Sequence, residues 1–219
     1  MVKPLAPFRW SIVRKCLTVQ VGLVFIGTAV SLLWLDGVRS PGIGFDHLVW
    51  LVPMAIATLF QTSGEDVFFK GFLLRQTGAI VPLWWFAPPI ISLIFVSLHI
   101  GNPDIRDQLW LIVPYFLISE LFIVYLLMRT GGMEAALTTH WWNNFFIFWI
   151  LAEAATQSND LTLFVFDEDP STVSDEALAV ALALIGIGIQ FVAFVSRKSP
   201  FFLDHHRWEP SPSPPPPTP

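Results

Sequence analysis

The chain has 219 residues, 54% of them hydrophobic and 13% charged, and a mean hydropathy of +0.62. A soluble domain carries about 25% charged residues, so this composition disfavours an ordinary water-soluble fold and points to an integral membrane protein. The formal charge of −5, with no basic patch interleaved with aromatics, argues against nucleic-acid binding, and a single cysteine, Cys16, excludes an intrachain disulfide.

The N-terminal stretch FRWSIVRKCLTVQVGLVFIGTAVSLLWL sets basic residues before an apolar run, as a signal peptide does. The run outlasts a signal-peptide core of about 7–15 residues, and no A-x-A-like cleavage site follows it. It is therefore predicted to be an uncleaved first span. Apolar windows predict membrane helices near 12–35, 47–77, 83–100, 108–128, 133–156 and 176–196. The second exceeds one perpendicular crossing and is expected to tilt or to project from the bilayer. Breakers stand between spans in DGVRSPGIG, GNPDIRD, RTGGM and DEDPSTVSD. The tail EPSPSPPPPTP is proline-rich and reads as extended and disordered. The organisation expected is a short cytoplasmic segment at 1–11, a transmembrane domain at 12–200 and a proline-rich cytoplasmic tail at 201–219. The fold class is all-α, a polytopic membrane bundle of about six transmembrane helices.

Orientation follows from the cations. With the N-terminus inside, the inner side collects Lys3, Arg9, Arg14, Lys15, Lys70, Arg75, Arg129, Arg197, Lys198 and Arg207, and the outer side only Arg39 and Arg106. That bias places both termini in the cytoplasm of a cell-membrane (inner-membrane) protein. No internal repeat is evident, which weighs against an inverted-repeat transporter.

An ionisable side chain at mid-bilayer costs roughly 2.5–3.5 kcal/mol, so each needs a partner or a purpose. In SGEDVFFKGFLL, Asp66 and Lys70 are i,i+4 neighbours on a helix and can pair. Glu65 is turned about 100° away and is left over. It is either solvated at an aqueous boundary or faces a wet cavity. His99 in FVSLH would more often be a structural hydrogen-bonding residue if taken alone. In LTTHWWNNFF, His140 and Asn144 share a helix face, with Asn143 beside them; the plain alternative is interhelical hydrogen bonding. Glu120 either supports a site or bridges helices as a neutral acid. If PLWWFAPP is interfacial and its helix starts at Pro88 or Pro89, then Glu65, His99 and His140 fall at similar depth from the inner surface.

These stretches carry a resemblance. EDVFFK resembles the E-E-x-x-x-R motif of the CPBP intramembrane proteases, the group holding the CAAX prenyl endopeptidases and the Abi-type bacterial proteins. Phe95 and His99 resemble its F-x-x-x-H motif, and His140 and Asn144 its H-x-x-x-N motif. The motifs run in order from residue 65 to 144. Asp66 stands where the family usually has a second Glu, and Lys70 where it usually has Arg. Lys replaces a planar five-donor fork with a point charge. The chain is also shorter than the CAAX enzymes, so the expectation is a CAAX-protease-like core.

The resemblance implies hydrolysis of a peptide bond in a membrane protein, or in a lipidated or hydrophobic peptide, at the lipid bilayer. Glu65 with His99 would activate water, His140 and Asn144 would stabilise the oxyanion, and Asp66, Lys70 and Asn143 would support them. Glu65, His99 and His140 also form a two-His, one-carboxylate set compatible with zinc, although H-E-x-x-H is missing. Zinc or no metal are both open, and the metal-free glutamate route accounts better for the Asn. Phe68, Phe69, Phe72, Trp141 and Trp142 either line a groove for an apolar peptide or face lipid. The rival class is a non-catalytic membrane scaffold or immunity-type binding protein using the same cavity, with Lys70 as its best support.

Overall fold

Runs of Leu, Ile, Val and Phe longer than 20 residues form helices in an apolar medium because only a helix satisfies every backbone N–H and C=O within the segment. A computed structural model of the chain shows the outcome for residues 8–34, 38–39, 44–81, 83–101, 109–146, 151–153, 164–166 and 173–203. The expectations for 1–7, most of the loops and the proline-rich tail lie outside the described residues. Helix α1 runs Trp10–Trp34, α2 Phe45–Asp66, a π-helix Val67–Leu73, and α3 Leu74–Ile80. A 3₁₀ turn at Trp84–Phe86 leads into α4, Ala87–His99; then come α5, Leu109–Thr130, α6, Glu134–Phe145, and α7, Val173–Val195. Since α2, the π-helix and α3 are continuous, the described residues build six helical rods, a helical membrane bundle. Trp10–Val30 and Val113–Thr130 are long and apolar enough to cross a membrane, and Ala87–His99 and Val180–Val195 are shorter apolar helices.

Two differences from the sequence reading matter for position. Within the span expected at 133–156 the described α-helix is Glu134–Phe145, and Leu151–Glu153 is a strand. The run FFIFWILAE is rich in aromatic and β-branched residues, and such short apolar runs have no periodicity that separates strand from helix. At 1.5 Å per residue, the 12-residue α6 is about 18 Å long, well short of a ~30 Å hydrocarbon core. Its middle, and with it His140, therefore sits inside the bundle. The second difference is the π-helix, which no feature of the sequence announced. By contrast, α4 does begin at Ala87 with prolines in its first turn, where their missing N–H groups cost nothing.

Strands Val38–Arg39 (β1), Leu151–Glu153 (β2) and Phe164–Phe166 (β3) form a small sheet in the order β1-β3-β2, β1–β3 antiparallel and β2–β3 parallel. It joins the α1–α2 connection to the α6–α7 connection at one end of the bundle. The opposite end is tied by basic side chains. Arg9 donates to both carboxylate oxygens of Glu134, at 2.9 and 2.6 Å, and to the Thr130 carbonyl at 2.7 Å. Lys15 donates to the Phe202 carbonyl and Arg129 Nε to that of Leu203. The α5–α6 turn closes on Gly131, whose φ of 64° is open to glycine at little steric cost.

α6 is the central element, packed on α1, α2 and α5, while α4 and α7 both lie against α5. One apolar cluster gathers Ile12, Cys16 and Val19 of α1 with Phe122 and Leu126 of α5, Phe194 and Leu203. The other joins Phe69, Leu74, Ala87, Ile91, Phe95 and Val124, next to the polar residues described below. Large apolar side chains such as Phe25, Phe60 and Val192 are exposed on the outside, which in lipid carries no hydrophobic penalty.

Candidate active site

A polar cluster is enclosed where α2, the π-helix, α4, α5 and α6 meet. Thr58 and Thr62 turn their hydroxyls back onto the carbonyls of Met54 and Thr58, which lets the buried face of α2 carry polar residues without orphaned donors. The next residue on that face is Asp66, fully buried. One oxygen, Oδ1, accepts from two directions: Lys70 Nζ at 2.5 Å and His140 Nδ1 at 2.8 Å. Asp66 Oδ2 is buried without a hydrogen-bond partner among the described residues. Lys70 Nζ also reaches Glu120 Oε1 of α5 at 2.9 Å and lies 4.8 Å from the centre of the Phe95 ring. Asp66, Lys70, Glu120 and His140 are all 5% exposed or less, so water contributes little to stabilising these charges.

Glu65 stands at the rim. Its side chain keeps 24% exposure, and its Oε2 is 3.6 Å from His140 Nε2, too far for a hydrogen bond. Gln61, one turn earlier on α2, donates to the other carboxylate oxygen at 3.3 Å. The imidazole of His140 is thus held between the two acids of the ED pair, with Nδ1 on the buried one and Nε2 toward the accessible one. Because a carboxylate accepts, Nδ1 carries the proton.

His99, half-buried at the end of α4, gives Nδ1–H to the carbonyl of Phe95 at 2.8 Å, leaving Nε2 to face outward from that bond. The rings of His99 and His140 pack against the same phenyl group, with centroids 4.5 and 5.9 Å from that of Phe95. Phe95 is therefore the wall common to both histidines. Asn143 and Asn144 are half-buried further along α6, Asn144 one turn beyond His140. Trp141 donates to the Ala55 carbonyl at 2.9 Å and pins α6 to α2.

Residues 47–146 match the family described as "Type II CAAX prenyl endopeptidase Rce1-like". The matched segment includes all of the enclosed polar residues and both histidines. The chain is also 28% identical over 149 residues to the "Uncharacterized protein YyaK" of Bacillus subtilis (strain 168), covering 66% of this chain and 50% of that protein. Residues 47–146 of this chain are thus similar to the Rce1-like family.

The chain spans about half the length of the curated relative it matches. No solved structure matches it. Against the Rce1-like motifs, the structure shows how the two departures are accommodated. Lys70 cannot make the two parallel bonds of a guanidinium; its ammonium instead forms a second ion pair, with Glu120 Oε1 at 2.9 Å, an oxygen that has no hydrogen-bond partner among the described residues. Asp66 still reaches both Lys70 and His140 with its shorter side chain. Sequence reasoning left Glu120 between two roles; the structure puts it in direct contact with the motif cation.

The zinc set does not assemble. Among the described residues no three His, Cys, Asp or Glu side chains form a group able to hold a metal, so Glu65, His99 and His140 are not gathered as ligands. Nδ1 of each histidine is engaged, on Phe95 and on Asp66, which orients the rings and leaves Nε2 of each as the nitrogen able to act. The aromatic residues also divide. Phe69 is buried in the core against Phe95, whereas Phe68 and Phe72 stack on the outside at 6.3 Å, 51% and 53% exposed. Phe69 thus leaves the groove-lining set, since the wider π turn directs it inward.

Proposed function

We propose that this protein is an intramembrane endopeptidase that hydrolyses a peptide bond in a membrane-associated, lipidated or hydrophobic peptide without a bound metal. The observation that carries the reading is the asymmetric His140: one nitrogen on a sealed carboxylate, the other directed at Glu65, whose side chain is part exposed while the oxygen nearest the imidazole is buried and unpartnered among the described residues. The similarity of residues 47–146 to the Rce1-like family supports the same class of chemistry.

Water needs a base before it attacks an amide. Glu65 takes the proton from a water molecule held with His99 Nε2 as second acceptor, and the oxygen adds to the scissile carbonyl carbon. His140, held through Nδ1–H on Asp66, and the Asn144 amide stabilise the oxyanion. The C–N bond then breaks, and Glu65 returns its proton to the departing amine. Phe68 and Phe72, stacked and exposed one and two turns beyond Glu65, offer an apolar surface to the substrate. The scaffold reading loses its main support, because the ammonium of Lys70 is accommodated by two carboxylates.

The test is a peptidase assay in lipid nanodiscs with a library of prenylated and unmodified membrane peptides in H₂¹⁸O. Wild type is expected to put ¹⁸O in the new carboxyl group. Glu65→Gln preserves shape and removes the base, and a general base contributes roughly 10²–10⁴-fold, so the rate should fall by about that factor. Cleavage by the Gln variant at the wild-type rate would rule out the glutamate mechanism.

A further inference from the structure

The hydrolytic reading uses Glu65, His99, His140 and Asn144 directly, and leaves unexplained why α5 carries an acid at its centre. Leu109–Thr130 is 22 residues long and Glu120 is its only acidic residue. At 2% exposure it requires a partner, and its partner is the motif cation, 2.9 Å away.

An arginine at position 70 could grip both oxygens of a carboxylate with its planar fork, fixing its own direction and that of the acid. Lysine cannot. Its ammonium gives one donor to Asp66 Oδ1, Asp66 Oδ2 is left without a hydrogen bond, and a flexible four-carbon stem leaves the direction of approach open. A second anion beside the ammonium restricts that freedom. Glu120 supplies it, from a different helix, with the Phe95 ring at 4.8 Å closing a third side. The fixed ammonium then fixes Asp66 Oδ1, the same atom that holds His140 Nδ1. The contacts form a continuous chain from α5 to the rim: Glu120, Lys70, Asp66, His140, and across 3.6 Å to Glu65.

We propose that Glu120 is a positioning residue, which compensates for lysine in place of arginine by clamping Lys70 onto Asp66 and thereby sets the orientation of His140 opposite Glu65. The proposal rests on the hydrolase reading for its catalytic consequence, but its structural content stands apart. A residue that merely joined α5 to the π-helix would alter stability and leave the imidazole unmoved.

The experiment uses the full chain in nanodiscs with ¹⁵N-labelled histidine rings, the His140 signal being assigned by comparison with His140→Gln. In wild type, the Nδ1–H proton of His140 is expected to be protected from solvent exchange. In Glu120→Gln, which keeps the shape and removes the charge, that resonance should shift and exchange faster. Toward any peptide that wild type cleaves, kcat should fall roughly 10- to 100-fold, the scale of a small misplacement, with KM unchanged within about twofold. Lys70→Met combined with Glu120→Gln should lose no more than the worse single variant, because both act through one contact. Should Glu120→Gln fail to fold, Glu120→Asp repeats the comparison with a carboxylate withdrawn from Lys70 by one methylene. A His140 resonance identical to wild type in a folded variant overturns the proposal. If that resonance moves and wild type cleaves nothing, the coupling stands and the hydrolase reading falls.

Discussion

Lys70 sits between two carboxylates and a phenyl ring, with its ammonium shielded from solvent. A buried ion cluster of this kind is weak support for stability as a whole, since desolvation offsets most of the Coulombic gain. Breaking it from one side is another matter. Lys70→Met would leave Glu120 without its cation and Asp66 with His140 as its one remaining partner among the described residues. Uncompensated buried charge of that sort costs about 3–5 kcal/mol, so the variant should unfold at clearly lower denaturant or temperature than wild type. Adding Glu120→Met should recover part of the loss, because the acid left without a cation is then gone. A double variant that is less stable by the full sum of the two single losses would mean that the residues act independently. At this scale the sequence was partly readable. The i,i+4 spacing of Asp66 and Lys70 shows their pairing directly, and Glu65 stands out as the unpaired acid. That Asp66 is shared with His140, and Lys70 with Glu120, was not readable, because both contacts join helices far apart in the chain.

Helix ends decide where these side chains arrive. α6 is anchored at its start by Glu134, which receives the Arg9 guanidinium and the Arg9 backbone N–H, and α5 is capped at its end by the same guanidinium on Thr130. One side chain thus ties the entrance of α1 to the turn that launches the His140 helix. Charge-assisted bonds contribute about 1.5–3 kcal/mol when buried, and this pair keeps side-chain exposures of 23% and 10%, so a figure of about 1–2 kcal/mol is appropriate. Glu134→Ala should lower the unfolding midpoint by the corresponding amount, measured in nanodiscs beside wild type. An unchanged midpoint would show that the pair is dispensable for packing. The length of α6 was the least legible part of the fold, since aromatic and β-branched residues after Phe145 satisfy a hydropathy window as well as helix formers do. The π-helix was equally hidden: VFFKGFL contains nothing that prefers i→i+5 bonds, and Lys70 is drawn into its place by acids on two other elements. π segments often accompany functional sites, and this one carries the motif cation.

Across the whole molecule, the two ends are chemically different. Arg9, Lys15, Arg129, Arg197 and Lys198 gather at the end where α1 begins, α5 turns into α6 and α7 finishes, while the sheet closes the other. The contacts of Arg9 with Thr130, and of Lys15 and Arg129 with the carbonyls of 202 and 203, place three separate segments on one side without reference to any membrane. We propose from that arrangement an even number of crossings between the start of α1 and the end of α7. Lys70 drops out of the loop cations, since it is sealed in the core, and the remaining bias predicts a cytoplasmic basic end. The prediction is specific because the native thiol is silent: Cys16 is fully buried. In intact cells, Arg39→Cys, in a strand of the sheet end, should react with a membrane-impermeant maleimide. Ser199→Cys, beyond α7, should react only after permeabilisation. The reverse pattern would turn the bundle over and put Glu65 and His140 at the opposite face. Labelling of both sites from outside would contradict the membrane crossing between them. A cytoplasmic basic end would place the Glu65 rim within reach of peptides presented from the inner leaflet, which is the side from which a lipidated substrate made in the cytoplasm would approach.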